Sequence, residues 1–255
     1  MRIGIDTAPI VQHRNRGVGA LGAHLLRALL HTETRHRFLL FAQDDGAGSL
    51  GGFQRYPGTE IVSRPASATS FSPSWIWAAL RLHRQVTRER PEIFHAYYQW
   101  NLPILRMRMP VVGHIYDLLP MAVRDAYLRQ HNSRVSAKIA LYSKYLKYAL
   151  KNVDWTIAIS EHSRADLIRT LGFQEERTRV VYPAPAPGMK VPENENEIQS
   201  LREKFGLEKG YLLIWADLIT EKIWRCSWRP IGGPGIAGCF CPWFWLAVWT
   251  VRTGK

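Results

Sequence analysis

Cysteine is absent from the first 225 residues of this 255-residue chain, and only Cys226, Cys239 and Cys241 follow. A disulfide framework is therefore excluded from most of the molecule. The three thiols do not make a zinc site, because no His lies in the last 33 residues and a fourth ligand is missing. Long apolar runs are also lacking. No window reaches the roughly 18 residues that a membrane-spanning helix needs. Cys239 to Val251 is apolar, but it is too short and Pro242 interrupts it. Met1-Arg2 runs straight into Ile3-Gly4-Ile5-Asp6 with no apolar leader core, so no signal peptide is expected. Dense Lys/Arg blocks interleaved with aromatics are missing, which argues against nucleic acid as a partner. No Ser/His/Asp arrangement and no metal-ligating cluster can be drawn from the spacing. These absences lead to the expectation of a cytoplasmic protein, with peripheral contact at the inner membrane face left open.

What is there is a basic, ordinarily hydrophobic chain. Hydrophobic residues make up 46% and charged residues 22%, a balance that supports a sizeable core. The net charge is +13. Such an excess attracts polyanions, anionic bilayers or phosphate-bearing small molecules, and charge alone does not choose among them. Lys138, Lys144, Lys147 and Lys151 lie along a predicted helix over 133–152, near Tyr142, Tyr145 and Tyr148. Either this is a solvated face or it meets anionic lipid.

The pattern along the chain alternates strand and helix. Apolar runs at Arg2 to Asp6, Arg37 to Ala42, Ile61 to Ser63, Ile93 to His95, Val111 to Ile115, Trp155 to Ser160 and Arg179 to Tyr182 read as strands. Helical spacing covers Ala20 to His31, Trp75 to Arg88 (with Ser74 as N-cap), Ser133 to Asn152 and Glu161 to Leu171, the last closed by Gly172. Thr7 to Gly19 reads as a loop. The implied fold class is α/β, a Rossmann-like doubly wound parallel sheet with buried strands. Ligands in such sheets sit beyond the C-terminal strand ends. The expected domains are an N-terminal domain at 1–185, a linker and short helix at 186–209, the start of a second domain at 210–222, and a tail at 223–255. That tail holds five of the ten Trp and every Cys, with no helical or strand period. It reads as frameshifted or otherwise non-native, with a genuine aromatic-rich segment or a membrane-inserting element as alternatives.

Four constellations follow strands. Arg16-Gly17-Val18-Gly19-Ala20-Leu21-Gly22 is a literal GxGxxG, and Asp44 follows 22 residues after Gly22, where a dinucleotide enzyme keeps its ribose acid. The fingerprint needs its first Gly at the strand end, however, and ten residues separate Asp6 from Gly17. A loop carrying Gly-Val-Gly into a helix still offers N–H groups to phosphate. A donor or acceptor loop, a dinucleotide site and a plain loop-to-helix turn all remain open. His114-Ile115-Tyr116-Asp117-Leu118-Leu119-Pro120 places a polar pair after a buried strand. Asp117 suits sugar hydroxyls, or is a turn residue. His95 closes a strand beside Tyr97 and Tyr98, as a sugar- or nucleotide-facing group or as packing. Ser160 ends a strand and caps the helix at Glu161.

Taken in order, these residues resemble the N-terminal domain of glycosyltransferase family 4, the retaining GT-B enzymes. Arg2–Asp6 with Arg16-Gly17-Val18-Gly19 and a Leu-rich helix is similar to the family's opening strand and Gly-rich loop. Pro91 to His95, Tyr116-Asp117-Leu118-Leu119-Pro120, Val153 to Leu167 and Val180-Val181-Tyr182-Pro183 resemble successive family motifs, and Gly210 to Lys222 resembles the opening of the second domain. The Tyr-Asp form of the turn is similar to mannosyltransferase-like members. The resemblance implies transfer of a sugar, mannose among the candidates, from a nucleotide-sugar donor to a glycan or lipid-linked acceptor. The nucleotide sugar is a substrate, and no cofactor is implied. Arg16, Gly17, Gly19, His95, Tyr116, Asp117 and Ser160 are the implied binding residues, with Tyr116 and Asp117 as catalytic candidates in an incomplete set. Ala216-Asp217 stand where the family has a Gly-containing turn, and no E-x7-E pair follows Lys222. Little activity is expected of the chain alone. An NAD-type oxidoreductase using Gly17–Gly22 and a basic membrane-associated binding module are the alternatives.

Overall fold

The computed structural model describes residues 1–13, 17–32, 35–42, 48, 50–63, 81–118, 121, 133–185, 188–190, 194–205, 211–216, 236–241 and 244–250. Two compact units divide the chain, Met1–Pro187 and Gly188–Lys255.

The first unit is built on seven parallel strands. They are β1 (Arg2–Asp6), β2 (Arg37–Ala42), β3 (Thr59–Ser63), β4 (Ile93–Ala96), β5 (Val111–Ile115), β6 (Trp155–Ala158) and β7 (Thr178–Val180), in the order β3-β2-β1-β4-β5-β6-β7. The α/β doubly wound class expected from the sequence is what the chain adopts. The helices are α1 (Ala8–Gln12), α2 (Gly17–His31), α3 (His83–Glu89), α4 (Ser133–Ala149) and α5 (Glu161–Leu171).

Strand runs such as Arg-Phe-Leu-Leu-Phe-Ala in β2 are apolar on both faces because both faces are covered. Phe38 and Leu40 join a core with Ile5, Ile10 and Leu26, under α1 and α2. Leu39 and Phe41 join the opposite core with Phe94, Val86, Leu146 and Leu167, under α3, α4 and α5. Each such side chain contributes roughly 1.5–3 kcal/mol on burial. The strand order reverses between β1 and β4. Ile5 is paired with Leu40 on one side and His95 on the other. A crevice opens at such a switch, outside the carboxyl ends of the strands.

Two expectations change. The segment from Thr7 to Gly19 is not all loop: Pro9 sits in the first turn of α1, where its missing N–H costs nothing, and α2 already begins at Gly17. In the second unit, α6 (Glu195–Phe205) precedes a three-stranded antiparallel sheet of β8 (Tyr211–Ala216), β9 (Ile236–Cys241) and β10 (Phe244–Thr250), in the order β8-β10-β9. The tail thus forms strands where no period was read, consistent with the high strand preference of its Phe, Trp and Val residues. Ser74, Trp75 and Asp44 lie outside the described residues.

Candidate functional site

The C-terminal end of β1 delivers Asp6 into the interior, fully buried. Its Oδ1 accepts from the Ala8 N–H at 3.0 Å and its Oδ2 from Asn101 Nδ2 at 2.9 Å. Burial raises its pKa to about 7, partly offset by the Asn101 and Ala8 hydrogen bonds. Asp6 therefore ties the start of α1 to the loop after β4.

That loop supplies the organising side chain of the site. Gln99 is buried, and its Oε1 accepts from the Tyr116 N–H at 2.7 Å. Its Nε2 donates to the Asp117 carbonyl at 2.8 Å and to the Tyr142 hydroxyl at 2.7 Å. From the other side, Ser163 Oγ donates to the Tyr116 carbonyl at 2.9 Å. The backbone of Tyr116 and Asp117 is thus held from β4's loop and from the first turn of α5. Ser160 sets that turn, since its Oγ accepts from the Ser163 N–H at 3.1 Å. Gly172 closes α5 with φ 66°, donating its N–H to Ile168.

Around this frame lies an aromatic cluster. The His114 ring stacks on Tyr116 at 4.9 Å and on His95 at 5.8 Å, and Tyr97 meets His114 edge-on at 5.1 Å. Tyr98 bridges Tyr116 at 6.0 Å and His13 at 5.6 Å. Burial lowers the His95 pKa to about 4. It lowers that of His114 to about 3, helped by the neighbouring His95. Tyr97 is pushed up to about 12 by burial, and Tyr116 is raised further by burial and by the Tyr97 hydroxyl. Both imidazoles and both phenols are neutral at neutral pH. The His95, His114, Tyr97 and Tyr116 polar tips have no well-formed hydrogen-bond partner among the described residues, although the two hydroxyls are near enough to perturb each other.

The sequence-derived residues therefore separate. His95 and Tyr116 come together in the ring cluster, Ser160 adjoins it through Ser163, and Gly19 reaches it through His13 and Tyr98. Tyr116 is buried, so only the Asp117 side chain of the Tyr-Asp pair is exposed. Gly19 is a packing glycine. A Cβ there would lie 2.1 Å from the His13 carbonyl oxygen, so Gly19 lets α1 and α2 cross closely. Gly17 opens α2, and a Cβ there would meet nothing within 4 Å among the described residues. Arg16 lies outside the described residues. The glycine motif does not stand at the end of β1, because α1 intervenes, so the dinucleotide geometry is not met. Gln99 and Asn101 carry no motif of their own, whereas Ser163 lies within the Val153 to Leu167 motif without being singled out there. The one signal for Gln99 and Asn101 is their place after a strand that ends in the pocket. Among the described residues no group of three metal-ligating side chains occurs, and no helix is long and apolar enough to cross a membrane.

The profile of Glycosyltransferase Family 4 matches residues 16–184, two thirds of the chain. No curated protein matches. Among solved structures, Anabaena Alr3699/HepE in complex with UDP-glucose is 17% identical with a TM-score of 0.44, over 82% of this chain and 51% of that one. A glycosyltransferase from Rickettsia africae is 13% identical with a TM-score of 0.38, over 82% and 50%. Arabidopsis thaliana UGT89C1 complexed with UDP-L-rhamnose is 11% identical with a TM-score of 0.42, over 79% and 54%. The chain spans about half the length of these structures. Their likeness is weak, and the assignment rests on the profile, whose match runs from the start of α2 past the ends of β2 to β7: the chain belongs to glycosyltransferase family 4.

Proposed function

We propose that this chain supplies the acceptor-side surface for transfer of a sugar from a nucleotide-sugar donor to a glycan or lipid-linked acceptor. The anomeric carbon loses its bond to the nucleoside diphosphate, forms one to an acceptor oxygen, and the acceptor hydroxyl releases its proton. The family implies that configuration is retained. The observation that carries this reading is the pinned Tyr116-Asp117 turn, which holds an exposed carboxylate at the mouth of a parallel-sheet crevice.

In this reading Asp117 accepts hydrogen bonds from sugar hydroxyls. Its backbone is held by Gln99 and Ser163, so the turn need not be ordered on binding. The start of α2 at Gly17 faces donor phosphate, where the helix dipole favours negative charge. His95 and Tyr116 shape the floor as neutral aromatic groups rather than as charged acid and base. Mannose is the sugar that the Tyr-Asp turn favours.

Peripheral contact with an anionic membrane has its own support. Lys144, Lys147 and Lys151 are exposed on α4 and the turn after it, beside Leu141 at 58% and Tyr148 at 52% exposure. Exposed apolar groups among cations suit a bilayer surface. Tyr142 and Tyr145 do not belong to that face: Tyr142 is buried, and the Tyr145 hydroxyl donates to the Trp100 and Leu102 carbonyls.

Saturation-transfer NMR of the whole chain with a panel of methyl glycosides and oligosaccharides tests the acceptor reading. A sugar signal that vanishes in Asp117→Ala, with the fold retained, is expected. No signal from any sugar, or one indifferent to Asp117→Ala, would sink it.

A further inference from the structure

A second recess adjoins the ring cluster, and Asp117 is not among the described residues that line it. Its walls are Leu21, His24, Leu25 and Ala28 of α2, His114 of β5, Ile159 after β6, and Val181 to Pro185 after β7. Its volume is about 190 Å³. We infer that this recess binds a neutral ligand with an apolar body of about six to ten carbons and a single hydroxyl group. The inference does not depend on sugar transfer: a chain that transferred nothing would still bind such a molecule.

Three observations select that chemistry. First, size: an apolar cavity of about 150 Å³ holds a benzene ring, so this one accommodates a slightly larger body. Second, charge: none of the described residues that line the recess is Lys, Arg, Asp or Glu. A charged ligand would shed its hydration there with no counter-charge. Third, hydrogen bonding: His114 forms part of the wall, is only 3% exposed, and neither ring nitrogen has a partner among the described residues. A neutral imidazole carries one donor and one acceptor. A bare hydrocarbon would leave both unmet, whereas a hydroxyl can give or accept. His24, half-buried on the same wall, offers a second imidazole to the same group.

Occupancy has a built-in reporter, because the His114 ring stacks on Tyr116 and His95. The test uses the full chain with ¹⁵N-labelled histidine, titrated in turn with benzyl alcohol, toluene and benzoate. Benzyl alcohol is expected to shift the His114 ring signals saturably and to bind about 2- to 10-fold more tightly than toluene, the worth of one hydrogen bond. Benzoate is expected to give no saturable shift. Ala28→Trp, at an exposed position of the lining helix, is expected to fill the recess and remove binding while thermal unfolding stays unchanged. The inference is overturned if none of the three probes saturates, if toluene or benzoate binds as tightly as benzyl alcohol, or if a folded Ala28→Trp chain still binds. Should that variant fail to fold, the three-probe comparison on the unaltered chain decides alone.

Discussion

Replacing Gln99 with Ala removes the side chain that holds the Tyr116-Asp117 turn. The loss can be worked from three contacts. Gln99 Oε1 takes the Tyr116 N–H at 2.7 Å, and Nε2 serves the Asp117 carbonyl at 2.8 Å and the Tyr142 hydroxyl at 2.7 Å. Truncation strands a buried backbone donor and a partly buried carbonyl, at ~1–3 kcal/mol each. The emptied space under a side chain only 4% exposed adds to this. A total of about 3–5 kcal/mol is expected, felt first at the turn. Amide hydrogen exchange reads it locally: the Tyr116 and Asp117 amides should exchange roughly a hundredfold faster or more. Gln99→Glu sharpens the test. One carboxylate oxygen still accepts from Tyr116, but the other faces the Asp117 carbonyl, acceptor against acceptor. Burial favours the protonated Glu, whose O–H would restore the lost donor. Its folded-state pKa is therefore raised, and the deficit should be largest at high pH and shrink as pH falls through that value. Exchange in Gln99→Ala within about threefold of the unaltered chain, or a Gln99→Glu deficit independent of pH, would refute the reasoning.

Three further outcomes follow from the same geometry. Gly19→Ala forces a Cβ onto the His13 carbonyl and should cost roughly 3 kcal/mol or prevent folding, whereas Gly17→Ala, whose Cβ would meet nothing within 4 Å among the described residues, should be neutral to stabilising; urea midpoints of the two variants check the contrast. Stability should rise with pH by about 1.4 kcal/mol per unit near pH 5, because His95 and His114 must each gain a proton on unfolding while Asp6 loses one, a net uptake of one proton. The slope should flatten as the His and Asp6 contributions come to cancel near pH 7; Asp6→Asn should roughly double the slope near pH 5, and urea titrations across that range measure it. Lys144→Glu with Lys147→Glu and Lys151→Glu should abolish cosedimentation with phosphatidylserine vesicles, and on the unaltered chain salt should weaken it in the same way; unchanged binding would remove the membrane reading.

Much of the fold is legible because buried parallel strands are continuous apolar runs and need no partner information to be seen. The caps of α5 are equally local: Ser160 and Gly172 are chosen by the φ/ψ and hydrogen-bond needs of their own turn. Gln99 is illegible for the opposite reason. Its partners lie 17, 18 and 43 residues away, and nothing in Tyr98-Gln99-Trp100 marks which amide will be buried. Asp6 fails in the same manner. It closes an apolar strand like any surface-facing acid, and only the packing of Asn101 and α1 around it reveals a buried carboxyl.

The glycine motif shows where pattern and physics part. A glycine is demanded wherever a backbone must be approached closely, and phosphate and a crossing helix make the same demand. Gly19 answers to the helix, since the atom a Cβ would strike is the His13 carbonyl oxygen. The ten residues between Asp6 and Gly17 are the spacing that permits this, because they hold α1, and α1 is what Gly19 packs on. The feature that removes the dinucleotide reading is thus the feature that explains the motif. It also transfers the anion-binding question to Gly17 alone, the one glycine of the pair whose Cβ would meet nothing among the described residues, with a 15-residue helix behind it. If a donor phosphate meets this chain at α2, enlarging Gly17 should weaken it while leaving stability intact, whereas any change at Gly19 would act on both together.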